Sequence, residues 1–358
     1  MILYFVIIIF FLLLTITADS KQNRAIPFFS FLVLFIVSAF RKETVGGDLK
    51  RYLPTFDRVQ HTNWGDLLTW NDSQFSFFSE YGFRYLQKVM SCIDGSNQFY
   101  IIFTSFFVIG TAMYAINKFS VDKALSVLVY VSIAYLNSFN IIRASLCISI
   151  CLLSFQYIKE RQLLRFLIMM AIAISIQRTS IFFIPAYSLY NLKFNNRLII
   201  IGIVCSLTAS MVLTGSGFAN FVNTYFTIFE ISDESYLISD ASTGLTSLAL
   251  FLLFATFFSL YIYKKNKNED KDMEFFIYVL VIATIIQFFS SVFMLLNRIS
   301  LFYYSYLVFF IPYMLKKYKK RNGMIFFKIV FIIAFVAIYS MGVFKDTNGD
   351  VPYLFFWE

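Results

Sequence analysis

From Phe275 to Leu296 the chain runs through 22 residues without one charge, and Ser242–Tyr263 and Met1–Ala18 do the same over 22 and 18 residues. A helix needs about 20 apolar residues to cross a hydrocarbon core about 30 Å thick, so segments of this kind fit a bilayer and not a water-exposed surface. Composition agrees: 59% of the 358 residues are hydrophobic and only 14% are charged. A soluble fold of this size has no interior for so much apolar surface. The apolar runs are long and do not alternate with polar residues, which excludes a β-barrel. The expected fold is all-α: a polytopic integral membrane protein, read as a single membrane-embedded domain over residues 1–358.

Apolar stretches of roughly 15–22 residues give about twelve crossings. They are Ile2–Ala18, Ile26–Phe40, Phe99–Asn117, Val121–Ser138, Ile141–Ile158, Leu163–Ile176, Thr179–Tyr190, Leu198–Thr214, Ser242–Tyr263, Phe275–Leu296, Ser300–Leu315 and Met324–Val343. The sixth and seventh are short and share a polar interruption, so they are either two spans or one broken, re-entrant helix. The first lacks a basic lead and a small-residue cleavage site and is read as retained.

Short basic loops set the expected orientation. Lys21 and Arg24, Lys118 and Lys123, Lys159 with Arg161 and Arg165, Lys193 and Arg197, "KKNKNEDKD" (264–272) and "KKYKKR" (316–321) all fall on one side of the twelve-span arrangement. That side is the cytoplasm by the positive-inside rule, with both termini extracytoplasmic. The net charge of +9 is explained by these loops, so nucleic acid is not an expected partner.

Two large extracytoplasmic loops follow from this topology, 41–98 and 215–241. The first opens with "AFRKETVGGDLKRY" and contains "NWGDLLTWND", an amphipathic piece suited to the membrane surface with Trp64 and Trp70 at the interface. The second carries Glu230, Asp233, Glu234 and Asp240. Against the usual charge bias, Arg143, Arg178 and Arg298 also stand at outer helix ends in apolar surroundings. An arginine near hydrocarbon is costly unless it is paired, lines a wet cavity or snorkels to lipid phosphates. Together with Arg41, Arg51 and Arg84 they fit an anion site, since guanidinium stays ionised and grips phosphate bidentately. Lipid-linked pyrophosphate is an anion that reaches such a site from within the membrane. Tyr81, Tyr85, Tyr303, Tyr304 and Tyr306 are either sugar-stacking rings or an interfacial aromatic belt.

Several of these stretches resemble one family. "FRKETVGGDLKRY", "SEYGFRYLQKVM", "NIIRASLCISI" and "NRISLFYYSY" are similar to segments of the EpsG-type and Wzy-type polysaccharide (O-antigen) polymerases, and the likeness spans most of the chain. Where many relatives carry His-x-Ser, this chain has "QRTS", with Gln177 in the histidine's place, so no histidine role transfers. The resemblance implies transfer of a growing glycan from undecaprenyl pyrophosphate onto the next lipid-linked repeat unit, in a bacterial inner membrane. It also implies a flippase and a chain-length regulator as working partners.

In that chemistry Arg143, Arg178 and Arg298 are expected to stabilise the departing pyrophosphate. Asp48 or Glu80 would take the acceptor proton. Arg41, Arg51, Tyr52, Arg84, Asn140, Gln177, Ser180, Asn297 and Tyr304 are the expected substrate-binding residues. Asp48 reads equally well as a turn residue after Gly46-Gly47, and Glu80 as an ion-pair partner of Arg84 at helical spacing. Neither a cofactor nor a metal is expected, since His61 is the only histidine and no zinc-type cysteine spacing occurs. Cys147 and Cys151 read as packing residues. The competing readings are an O-antigen ligase, which uses the same donor, and a flippase. A flippase needs polar groups through the bundle centre, whereas these spans are nearly charge-free at mid-depth.

Overall fold

The structure is a computed structural model that describes residues 1–17, 24–69, 80–212, 246–266, 270–290, 294–318, 321–346 and 349–358. Trp70, Lys21 and the expected loop 215–241 with its four acids lie outside the described residues. Among the described residues there is no strand, and one isolated antiparallel bridge joins Arg41 to Phe355.

The chain begins with α1 (Ile2–Thr17), α2 (Ala25–Ala39), α3 (Leu49–His61), α4 (Asp66–Thr69), α5 (Tyr81–Ile93), α6 (Asn97–Phe119) and α7 (Lys123–Tyr130). A π-helical segment, Val131–Tyr135, leads to α8 (Asn137–Asn140), α9 (Ile142–Lys159) and α10 (Leu163–Ile176). A 3₁₀ segment, Arg178–Phe183, then precedes α11 (Ala186–Leu189), α12 (Asn196–Val212), α13 (Ser247–Asn266), α14 (Lys271–Phe288) and α15 (Met294–Tyr304). The last two helices are α16 (Leu307–Lys317) and α17 (Arg321–Lys345). Two compact units result: Met1–Ile181 with Leu307–Glu358, and Phe182–Tyr306.

Among the described residues, four helices are long and apolar enough to cross a membrane: Asn97–Phe119, Ile142–Lys159, Ser247–Lys265 and Asn322–Lys345. A fifth is added if Leu296–Tyr304 and Leu307–Lys317 form one broken span. Other expected spans appear as shorter apolar helices, α1, α2, α10, α12 and Lys123–Tyr135 among them. Thr179–Tyr190 is not one helix; it is divided between the 3₁₀ segment and α11, with Pro185 between them. Proline removes a helical donor and clashes with the preceding turn, which accounts for the interruption.

In the first unit, α7 is buried along its whole length, α2 packs along α6, and α6 and α10 flank α9. Side chains cap the helices where loops enter them: Ser96 Oγ accepts from the Phe99 amide at 3.2 Å, and Asp122 Oδ1 from the Leu125 amide at 3.1 Å. Both α3 and α5 are amphipathic. Tyr52, Leu53, Phe56 and Val59 of α3, and Phe83, Gln87 and Met90 of α5, face inward at helical spacing. The Phe56 ring lies 5.1 Å from that of Tyr100 in α6, which seats α3 on the end of the α6 helix.

The C-terminal segment returns to the start of the 41–98 loop. Lys42 donates its amide to Leu354 O at 2.9 Å, Phe356 to Phe40 O at 3.0 Å, and Gly46 to Gly349 O at 3.1 Å. The tail therefore supplies backbone partners that the loop cannot supply for itself.

In the second unit, α14 packs against α12, α13 and α15. Its start is capped by Asp270 Oδ1, which accepts from the Met273 amide at 3.2 Å. Within the apolar contacts, Thr256 and Thr284 share a hydrogen bond of 3.1 Å and Ser300 donates to Ala283 O at 3.0 Å.

Candidate functional site

The turn that starts the 41–98 loop has one tightly constrained position. Gly46 has φ of +107°, and a β-carbon there would sit 2.6 Å from the Phe139 carbonyl oxygen. Only glycine meets both conditions. The turn brings the Asp48 amide to Asn140 Oδ1 at 3.0 Å, three residues ahead of Arg143. Asp48 is half-buried and occupies the N-cap position of α3 without spending its carboxylate on a capping bond. Gly46→Ala is expected to cost at least about 1–2 kcal/mol for the left-handed backbone alone, with the clash added; a thermal-shift measurement on purified protein checks it.

The centre of the site is a buried ion pair. Arg143, in the first turn of α9, lies 2.6 Å from Glu80 Oε2, and their side chains are 8% and 12% exposed. The other carboxylate oxygen of Glu80 accepts from the Arg178 backbone amide at 3.4 Å. Glu80 thus ties the start of α5 to α9 and to the turn after α10. Gly82 makes this approach possible, because a β-carbon there would lie 2.6 Å from the Ser175 carbonyl oxygen.

The Arg143 guanidinium also stands over the Phe83 ring, 5.7 Å from its centroid. A cation at a helix N-terminus opposes the helix dipole, so Glu80 and Phe83 are needed to hold it there. Arg84 donates to Leu67 O at 3.1 Å and lies over Tyr81, 5.6 Å from the ring centroid. Burial lowers the pKa of Arg84, the neighbouring Tyr81 and Glu80 oppose that shift, and Arg178 adds to it. Arginine stays ionised despite such shifts. Glu80 is thus paired with Arg143, and Arg84 feels both Glu80 and Arg178, so positive charge outnumbers negative around this carboxylate. Such a cluster attracts a multivalent anion strongly.

The other expected residues distribute as follows. Tyr52 is buried with its ring 5.9 Å from that of Phe83, directly beneath the cluster. Gln177 ends α10 in an extended conformation and donates to Thr179 Oγ1 at 2.8 Å, while Ser180 Oγ donates to Ala173 O at 3.4 Å. Arg51 is exposed on α3. Arg41 is 1% exposed, donates to Ser38 O and Ser38 Oγ at 2.6 and 2.9 Å, and covers the Phe139 ring at 4.5 Å. Desolvation lowers its pKa while Asp350 raises it. Its contacts brace α2, α6 and the C-terminal segment, which is a supporting place beside the cluster.

In the second unit, Asn297 is exposed and Arg298 half-buried on α15, while Tyr303, Tyr304 and Tyr306 are buried. Tyr303 and Tyr306 pack on Phe183. Tyr85 stacks on Trp64 with centroids 6.0 Å apart, whereas Tyr81 is 50% exposed beside Arg84. Cys147 and Cys151 are buried free thiols, and Cys147 Sγ donates to Ala173 O at 3.2 Å, which places them in packing between α9 and α10. Among the described residues no group of histidines, cysteines and acids is arranged to hold a metal ion.

Phe83 and Gly82 were not singled out by sequence, although they stand beside Glu80 in "EYGFRYL". Gln87 was missed too: it is fully buried one turn below Phe83, beside the Tyr100 hydroxyl. A glutamine on the inward face of an amphipathic helix was the available signal.

The sequence profile of the EpsG family matches residues 24–355, nearly the whole chain. The chain belongs to the EpsG family. No curated protein and no solved structure matches it. Membership in the EpsG family, together with the apolar helices, makes this a membrane protein with a polysaccharide-polymerase-like role. The profile begins at Arg24 and ends at Phe355, so the arginine cluster and the returning C-terminal segment both fall inside it.

Proposed function

We propose that this EpsG-family protein polymerises lipid-linked oligosaccharide repeat units at the extracytoplasmic face of a bacterial inner membrane. The growing glycan is transferred from undecaprenyl pyrophosphate to a hydroxyl of the next lipid-linked unit. The observation that carries this reading is the buried Arg143–Glu80 ion pair, with Arg84 within electrostatic reach and the Arg178 backbone amide on the same carboxylate. The bond between the donor's anomeric carbon and its phosphate oxygen breaks, and the electron pair leaves with the pyrophosphate. Guanidinium groups fixed in a water-poor site stabilise that developing charge without reorganising.

The acceptor hydroxyl oxygen forms the new glycosidic bond, and its proton goes to a carboxylate. Asp48 is the favoured base, because its carboxylate makes no capping bond while Glu80 is engaged by Arg143 and by the Arg178 amide. Glu80 is then a positioning residue. Asp48→Asn, which keeps shape and removes basicity, is expected to lower polymerisation by about 10²–10⁴-fold. Wild-type glycan ladders from Asp48→Asn cells would remove Asp48 from the chemistry and leave Glu80.

Electrophoresis of surface glycolipid after gene deletion separates the classes. A polymerase deletion leaves core plus one repeat unit. A ligase deletion leaves none, and a flippase deletion leaves none while precursor accumulates inside. Orientation has a native probe, since Cys92 is exposed on α5. A membrane-impermeant maleimide is expected to label Cys92 in intact cells with a permeable outer envelope, and a cysteine at Asn322 is expected to stay unlabelled. The reverse pattern would place the arginine cluster on the cytoplasmic face and overturn the proposal.

A further inference from the structure

At the end of the first unit opposite the arginine cluster, α2 and α6 enclose a cleft of about 500 Å³. Its walls are aromatic, with Phe28 and Phe31 from α2 and Phe106, Phe107 and Tyr114 from α6. Gly110 keeps it open: a β-carbon there would lie 3.4 Å from the Phe31 ring, and a longer side chain would enter the cleft. From Phe106 to Asn117 the wall rises through eleven residue steps of helix, or about 16 Å at 1.5 Å per step, which is half of a bilayer core about 30 Å thick.

The cleft is apolar for most of this length and polar at its end, where Arg24 and Asn117 line it. Asn117 Oδ1 accepts from Lys123 Nζ at 2.9 Å, and Lys123 is only 6% exposed. Among the described residues neither Arg24 nor Lys123 makes an ion pair. The neighbouring acid, Asp122, is spent on Lys328 at 3.1 Å and on capping α7. Glu160, the other acid at this end of the first unit among the described residues, accepts from Gln156 and Gln162, and Lys118 donates to Gln156 Oε1. A nearly buried ammonium with only an amide partner, next to a guanidinium, is costly without an anion.

We infer that this cleft binds one anionic phospholipid, with an acyl chain along the aromatic wall and the headgroup phosphate between Arg24 and Lys123. Ordinary boundary lipid needs only an apolar face, whereas this cleft joins a leaflet-length groove to Arg24 in its wall and, behind Asn117, to Lys123. The site is independent of the polymerase reading, since it shares no residue with the arginine cluster.

Native mass spectrometry of the full chain in neutral detergent tests it, with phosphatidylglycerol and phosphatidylcholine of identical acyl chains as probes. Phosphatidylglycerol is expected to bind at about tenfold lower concentration, the effect of one to two cations near a headgroup. Arg24→Gln is expected to bring it close to phosphatidylcholine, and Gly110→Leu to weaken both lipids. Equal affinities in the wild type would overturn the inference whatever the variants do, as would an unchanged preference in folded Arg24→Gln protein. Displacement by inorganic phosphate at equal concentration would mean a phosphate site only, and would overturn it as well.

Discussion

Arg143→Lys is expected to abolish long surface glycan while leaving protein levels near normal. Lysine keeps the positive charge but loses the planar fork that grips a phosphate and a carboxylate at once, so charge alone does not rescue the site. Arg143 is held by Glu80 at 2.6 Å and rests over Phe83. Loss of one preorganised donor from a charge-stabilising site costs about 10²–10³-fold in rate. Glycan electrophoresis with parallel immunoblotting reads the effect. Normal ladders at normal protein levels would mean that pyrophosphate binds elsewhere.

Glu80→Ala produces the second large effect, and it appears first in stability. Removing one partner of a buried pair costs about 3–5 kcal/mol because the other charge is left uncompensated. Here Arg143 would lose its ion pair and the Arg178 amide its acceptor, while the electrostatic counterweight to Arg84 would also go, so Glu80→Ala is expected to reduce the amount of folded protein more than Arg143→Ala does. The double variant Glu80→Ala/Arg143→Ala is expected to be more stable than the sum of the single losses allows, since neither charge is then stranded. Strict additivity in thermal-shift measurements would show that the two side chains are not coupled.

The membrane class, the helix order and the family were legible from charge-free runs and short motifs, because bilayer thickness constrains segments of that length directly. The number of crossings was not. Hydropathy does not register the π-helical segment at Val131–Tyr135, nor the division of Thr179–Tyr190 into a 3₁₀ turn and a short helix. The second break has a local cause in Pro185, whereas the first has a long-range partner, Tyr135 OH donating to Leu34 O at 2.9 Å.

At the site, sequence identified Glu80, Arg143 and Arg178 as separate candidates, yet spacing offered Arg84 as the partner of Glu80. The partner at 2.6 Å is 63 residues away, and helical periodicity carries no information across that distance. Arg41 illustrates the same limit. In sequence it is one more arginine of the loop, and only its burial against Ser38, Ser105 and Phe139 reveals a bracing place. Gly46 was better determined, because a Gly-Gly pair before an acid at a helix start already asks for a turn with positive φ.

The most direct test of the account is binding of undecaprenyl pyrophosphate to the purified full chain, with undecaprenol as the phosphate-free control. The wild type is expected to prefer the pyrophosphate strongly. Arg143→Lys and Arg178→Lys are each expected to weaken that ligand by at least about tenfold, the equivalent of 1.4 kcal/mol, and to leave undecaprenol unchanged. Pyrophosphate affinity that survives both substitutions in folded protein would contradict the claim that this cluster is the pyrophosphate site.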